Sequence, residues 1–166
     1  MNRTLLAAVT AVLLIGPSQA HQIKTKTLTI MHPWVHAAAT GSASTDGFVV
    51  IKNIGKETDR LLGAFLDGAG EAAIVQQAPG TPGGVCKLAK GLEVPAGAAV
   101  ELKPGNVSLQ FGKLGKTLIQ DLYADGVLHF EKAGAVKIEF YIEAAGATAS
   151  SDALVVADCA SPAMSQ

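Results

Sequence analysis

The sequence is poor in several things at once. Only 16% of its 166 residues are charged, and 13 Lys and Arg nearly balance 14 Asp and Glu. No basic stripe runs through it, which argues against a nucleic-acid partner. Two cysteines are too few for a small disulfide scaffold, although they suffice for one bridge. With one Trp and two Tyr there is little material for a large substrate platform. No apolar run approaches the ~20 residues that a membrane-spanning helix needs. A Gly-x-Ser-x-Gly elbow and a phosphate-cradling glycine loop are both missing, so acyl transfer and nucleotide chemistry have no support. Apolar side chains are plentiful, at 49% of the residues, which excludes a disordered chain.

The chain begins with a basic residue, Arg3, and an apolar run from Leu5 to Ile15 broken only by Thr10. Gly16-Pro17 ends the run, and Ser18-Gln19-Ala20 has the small-x-small pattern of a cleavage site. Residues 1–20 are therefore predicted to be a secretory signal peptide, leaving a periplasmic or secreted chain that starts at His21. In an oxidising compartment Cys86 and Cys159 become candidates for a disulfide.

The remainder reads as strands separated by turns. Val136, Ile138, Phe140 and Ile142 alternate with Lys137, Glu139, Tyr141 and Glu143, the period of a half-buried strand. Shorter apolar segments lie at Leu28–Ile30, Phe48–Ile51, Ala99–Leu102, Val107–Phe111 and Val127–Phe130. Between them stand Asn53-Ile54-Gly55-Lys56, Pro95-Ala96-Gly97, Lys103-Pro104-Gly105-Asn106 and Lys132-Ala133-Gly134, all turn chemistry. Gln76 to Gly84 reads as a loop. No long amphipathic helix is evident, and many short strands predict an all-β antiparallel sandwich or barrel. Residues 147–166 form an Ala- and Ser-rich tail around an apolar patch, Ala153 to Ala157. That tail is either a linker with a docked end or a tether held by Cys159.

Pro33-Trp34-Val35-His36-Ala37, Gly47-Phe48-Val49-Val50-Ile51-Lys52-Asn53-Ile54-Gly55 and Asp59-Arg60-Leu61 resemble the periplasmic copper chaperone family called PCuAC. Gly91-Leu92-Glu93-Val94-Pro95-Ala96-Gly97, Val100-Glu101-Leu102-Lys103-Pro104-Gly105 and Phe130-Glu131-Lys132-Ala133-Gly134 continue the likeness in order. The resemblance implies a cupredoxin-like, immunoglobulin-like β-sandwich over residues 21–146 and copper handling outside the cytoplasm. It also implies a His and Met ligand set for Cu(I). Family spacing puts those four positions at Val75, Cys86, Ser108 and Gln110, of which only Cys86 offers a soft donor. Met31 and Met164 are the sole methionines after residue 20, so a thioether site has not simply moved.

Cleavage after Ala20 offers a different site. An N-terminal histidine chelates a metal through its α-amine and ring Nδ1, and a second imidazole completes a histidine brace. A nitrogen set of this kind favours Cu(II) over Cu(I). The expected second ligand is His129. If the first strand runs parallel to the last, the mature terminus lies near the Lys132–Gly134 turn, and His129 points outward between Leu128 and Phe130. His32 and His36 fit less well: eleven extended residues separate His21 from His32 by roughly 36 Å unless the terminus folds back. They read instead as one half-buried histidine beside Trp34 and one exposed histidine. The function expected is copper storage or delivery without turnover, with a membrane or periplasmic copper enzyme as a recipient. A metal-free interaction module and a small brace-type copper oxidase are the alternatives.

Thiol counting on the exported, denatured, unreduced protein should find no reactive thiol. Two thiols per chain would exclude the Cys86–Cys159 bridge.

Overall fold

The structure, a computed structural model, describes residues 22–78 and 84–151. Eleven strands succeed one another: β1 (Gln22–Lys24), β2 (Leu28–His36), β3 (Thr45–Asn53), β4 (Asp59–Leu66), β5 (Gly70–Gln77), β6 (Val85–Lys87), β7 (Leu92–Val94), β8 (Ala99–Leu102), β9 (Val107–Phe111), β10 (Tyr123–Phe130) and β11 (Gly134–Glu143). No α-helix occurs among the described residues. The six apolar segments legible in the sequence all lie on strands, and the alternating Val136–Ile142 segment sits within β11. Of the segment read as a loop from Gln76 to Gly84, Gln76 and Gln77 instead close β5 by pairing with Cys86 and Val85, and residues 79–83 lie outside the described residues.

The sheet runs β1-β2-β11-β10-β4-β5-β9-β3-β8, and β3 also pairs with β2. That last pairing closes the ring into a sandwich-like barrel. Neighbouring strands are antiparallel except β2 and β11, which run parallel with Trp34 beside Tyr141 and Glu143 beside His36. Leu28, Ile30, Ile51, Leu61, Leu109, Leu128 and Phe140 alternate into one continuous core. At its centre Phe111 and Phe140 meet edge to face, with ring centroids 5.8 Å apart. Two glycines make room for these rings. A Cβ at Gly126 would stand 2.5 Å from the Phe140 ring, and one at Gly47 would stand 2.8 Å from Phe111.

Two buried polar side chains hold the turns. Asn53 donates from Nδ2 to the carbonyls of Glu57 and Val94, at 2.8 and 2.9 Å, and accepts from the Gly55 amide. Asp59, 3% exposed, accepts from three backbone amides: Arg60 at 2.7 Å, Lys132 at 2.9 Å and Ala133 at 3.0 Å. Its carboxylate thus ties the start of β4 to the β10–β11 hairpin, more than seventy residues away in the chain. At the opposite end of that hairpin, the Tyr141 hydroxyl donates to Asp121, 2.9 Å away.

Asp59→Ala removes a charged acceptor from three amides. A loss of roughly 2–4 kcal/mol is expected, read as a lower urea midpoint at unchanged slope. A change within ~0.5 kcal/mol, the ordinary range for surface substitutions, would contradict this role.

The Asp121 hydrogen bond raises the Tyr141 phenol above its ordinary value, because it favours the protonated form and ionisation would set two negative charges together. A raised folded value means that the bond stabilises the fold below the unfolded tyrosine pKa of about 10 and ceases to do so as pH rises through the folded value. Absorbance titration near 295 nm should show Tyr141 ionising late, and Asp121→Asn should bring it earlier. An identical titration in the variant would exclude the coupling.

Candidate metal site

The first turn decides what the amino terminus can reach. The Thr25 hydroxyl accepts from the Leu28 amide at 2.9 Å and from Thr27 at 3.3 Å, while the Thr25 amide bonds to the Leu28 carbonyl at 2.8 Å. A threonine that satisfies amides two and three residues on closes a tight turn. The chain therefore folds back: β1 pairs antiparallel with β2, setting Lys24 opposite Thr29 and Gln22 opposite Met31. This corrects the expectation of an extended first strand, in which the terminus lay beside the start of β11.

His32 comes after Met31 at an irregularity. The β2–β3 ladder is interrupted between Met31 and Trp34, and His32 adopts φ 48°, the left-handed region rarely used by residues other than glycine. Pro33 is next and has no amide to contribute. The His32 ring Nδ1 is buried and has no hydrogen-bond partner among the described residues. An unpaired buried nitrogen costs about 1–3 kcal/mol. His32 is half-buried rather than exposed, so the expected exposed member of the His32/His36 pair does not exist.

The other candidates sit apart from this corner. The His36 ring packs edge-on against Trp34 and Phe48, with centroids 5.2 and 5.4 Å away. Its Nε2 donates to the Ala147 carbonyl at 2.9 Å, which matches the half-buried histidine expected beside Trp34. His129 is half-buried between the buried Leu128 and Phe130 and points outward, as expected. It pairs with Ala135 and Gly63. β10, which carries His129, is separated in the sheet from β2, which carries His32, by β11.

The four positions of the soft family site come close together but hold no such ligands. Val75 pairs with Ser108, and Gln110 with Ala73, on the β5–β9 ladder. Val75 is buried, and Ser108 donates to Asp46 at 3.3 Å. Cys86 is exposed on β6 opposite Gln76, in the alternate side-chain set from Val75. Among the described residues, no three His, Cys, Asp or Glu side chains gather to hold a metal ion. His21 and Cys159 lie outside the described residues, and with them the brace and the disulfide. The terminus that folds back was signalled by Lys24-Thr25-Lys26-Thr27, a polar threonine-rich interruption between Ile23 and Leu28.

An all-β closed sheet with these motifs is the fold of PCuAC domains. The copper-bound PCuAC domain from PmoF2 is similar at 23% identity and a TM-score of 0.65, covering 75% of this chain and 98% of that domain. The apo PCuAC domain from PmoF1 is similar at 27% identity and a TM-score of 0.63, covering 75% and 99%. The Cu(I) form of DR1885 from Deinococcus radiodurans aligns at 15% identity and a TM-score of 0.55, covering 71% of this chain and 80% of that one. No curated protein matches by sequence. The LpqE-like lipoprotein family profile matches residues 28–142, and the chain belongs to that family.

Proposed function

We propose that this chain is an exported, non-catalytic copper protein that binds one Cu(II) at its processed amino terminus and delivers it outside the cytoplasm. The ligands are the α-amine and ring Nδ1 of His21 and the imidazole of His32. The observation that carries this choice is the pairing of Gln22 with Met31. Gln22, the residue after His21, stands opposite Met31, the residue before His32, and directly opposed residues lie about 5 Å apart. A metal ion bridging two side chains needs a separation of this order. The unpaired His32 Nδ1 supports the same assignment, since coordination would satisfy it. His129, the ligand expected from the sequence, sits on β10, which pairs with β11 and β4, whereas the segment after residue 21 pairs with β2.

Copper as cargo is supported by likeness to domains whose names describe copper-bound forms. Cu(II) rather than Cu(I) is the choice that ligand chemistry favours. One amine and two imidazoles suit Cu(II), whereas Val75, Ser108 and Gln110 supply no thioether. Export is supported by the signal-like residues 1–20 and by membership of a lipoprotein family. The recipient is inferred to be a copper enzyme of the periplasm or membrane.

Paired Cu(II) titrations of chains beginning at His21 and at Ala20 test the brace. The His21 chain should bind one Cu(II) with type-2 spectral character and at least tenfold tighter. Affinity should fall as pH drops, because the amine and imidazole nitrogens must be free of protons to bind. His32→Ala should cost at least tenfold, whereas His129→Ala and Ser108→Ala should stay within twofold. Equal affinity for the two chains would eliminate the brace. A loss at His129 without one at His32 would eliminate the fold-back assignment.

A further inference from the structure

The neighbouring strands β11, β10, β4 and β5 carry a row of paired residues across the outer face of the sheet. Lys137 on β11 stands opposite Val127 on β10, Val127 opposite Phe65 on β4, and Phe65 opposite Glu71 on β5. Directly paired residues project from the same side of a sheet. Here that side is the outside, because the alternate residues Ile138, Leu128 and Leu66 are buried in the core. The row therefore reads cation, apolar, apolar, anion, over three strand spacings, about 14 Å. Lys137 and Glu71 are exposed, and neither has an ion-pair partner among the described residues.

The apolar middle of the row continues along β4. Phe65 is 38% exposed, and Leu62, 53% exposed, projects where β4 shifts register against β10. On that side the next pair is His129 with Gly63, which has no side chain to offer. On the other side Asp125 stands opposite Glu139, and these carboxylates form a polar rim. A contiguous apolar patch bounded by polar groups marks an interaction surface.

The charges decide which partner fits. A second copy laid face to face, with its strands nearly aligned, would stand about 10 Å away. A two-fold axis running along the strands reverses the row in that copy. Lys137 then meets Glu71 at both ends, Val127 meets Phe65 in the middle, and His129 meets the space left at Gly63. A two-fold axis running across the strands would instead set Lys137 on Lys137 and Glu71 on Glu71. The face is thus self-complementary in one orientation and self-repelling in the other, as a closed isologous pair requires.

We propose that this face is a homodimer interface, formed by the Lys137–Val127–Phe65–Glu71 rows of two copies about a two-fold axis along the strands. No residue of the row lies on β1 or β2, so pairing does not use the copper corner.

Sedimentation equilibrium of the full processed chain, without metal, tests it. The chain should dimerise with a dissociation constant below about 1 mM. Lys137→Glu and Glu71→Lys should each weaken dimerisation at least tenfold, because each turns both attractive pairs into repulsive ones. An equimolar mixture of the two variants should form a heterodimer within threefold of the original affinity, since every 137–71 contact is then attractive again. A chain that stays monomeric up to about 1 mM overturns the proposal. So does a dimer that both reversals leave intact, or a mixture in which the variants fail to associate. A dimer lost with Leu122→Asp and kept in both charge reversals would place the contact at the exposed Ile119–Tyr123 segment instead.

Discussion

One carboxylate holds the architecture together. Asp59 sits buried at the start of β4 and is satisfied by three amides, two of them from the turn between β10 and β11. β4 in turn pairs with β10, β5 and β7, so fixing its first residue fixes the register of half the ring. A buried ion without these donors would be costly, and the donors without it would be left unpaired. The interaction is therefore one that either forms completely or disrupts the hairpin. Asn53 does the same for the preceding turn, at smaller energetic stakes because it is neutral.

The same latch accounts for a chain that keeps the PCuAC fold while the positions expected from family spacing to carry soft ligands hold Val75, Cys86, Ser108 and Gln110. The motifs that carry the family resemblance include Asn53, Asp59 and Lys132-Ala133-Gly134, and these are scaffold contacts. Metal ligands on β5 and β9 are a separate layer, which can be lost without disturbing the latch. The corner at His32 depends instead on Thr25, whose hydroxyl turns the chain back along β2.

Much of the fold was legible because its strands alternate. β11 alternates from Ala135 to Ile142, and β9 buries every second residue. β4 was missed because Asp59-Arg60-Leu61-Leu62-Gly63-Ala64-Phe65-Leu66 keeps no period: Gly63 and Ala64 are both buried and Leu62 is exposed. A register shift opposite His129 and Phe130 displaces the alternation there. The candidate site was legible in its residue types but not in its pairing. The doubling back of the terminal segment shows in the sequence only as the polar Lys24–Thr27 interruption, and the three residues of β1 set that segment along β2, which carries His32.

The contacts of Gly47 with Phe111 and of Gly126 with Phe140 have an evolutionary consequence. Each glycine and its ring behave as a lock and key cut from different parts of the chain. A methyl group added at either glycine must be matched by a smaller or displaced ring, and a smaller ring alone leaves a void. Neither member can drift by itself, so in related chains the two positions of each couple should change together or stay as they are. The two rings also touch one another. The couples are thereby joined into a single four-residue unit of inheritance spanning β3, β9, β10 and β11.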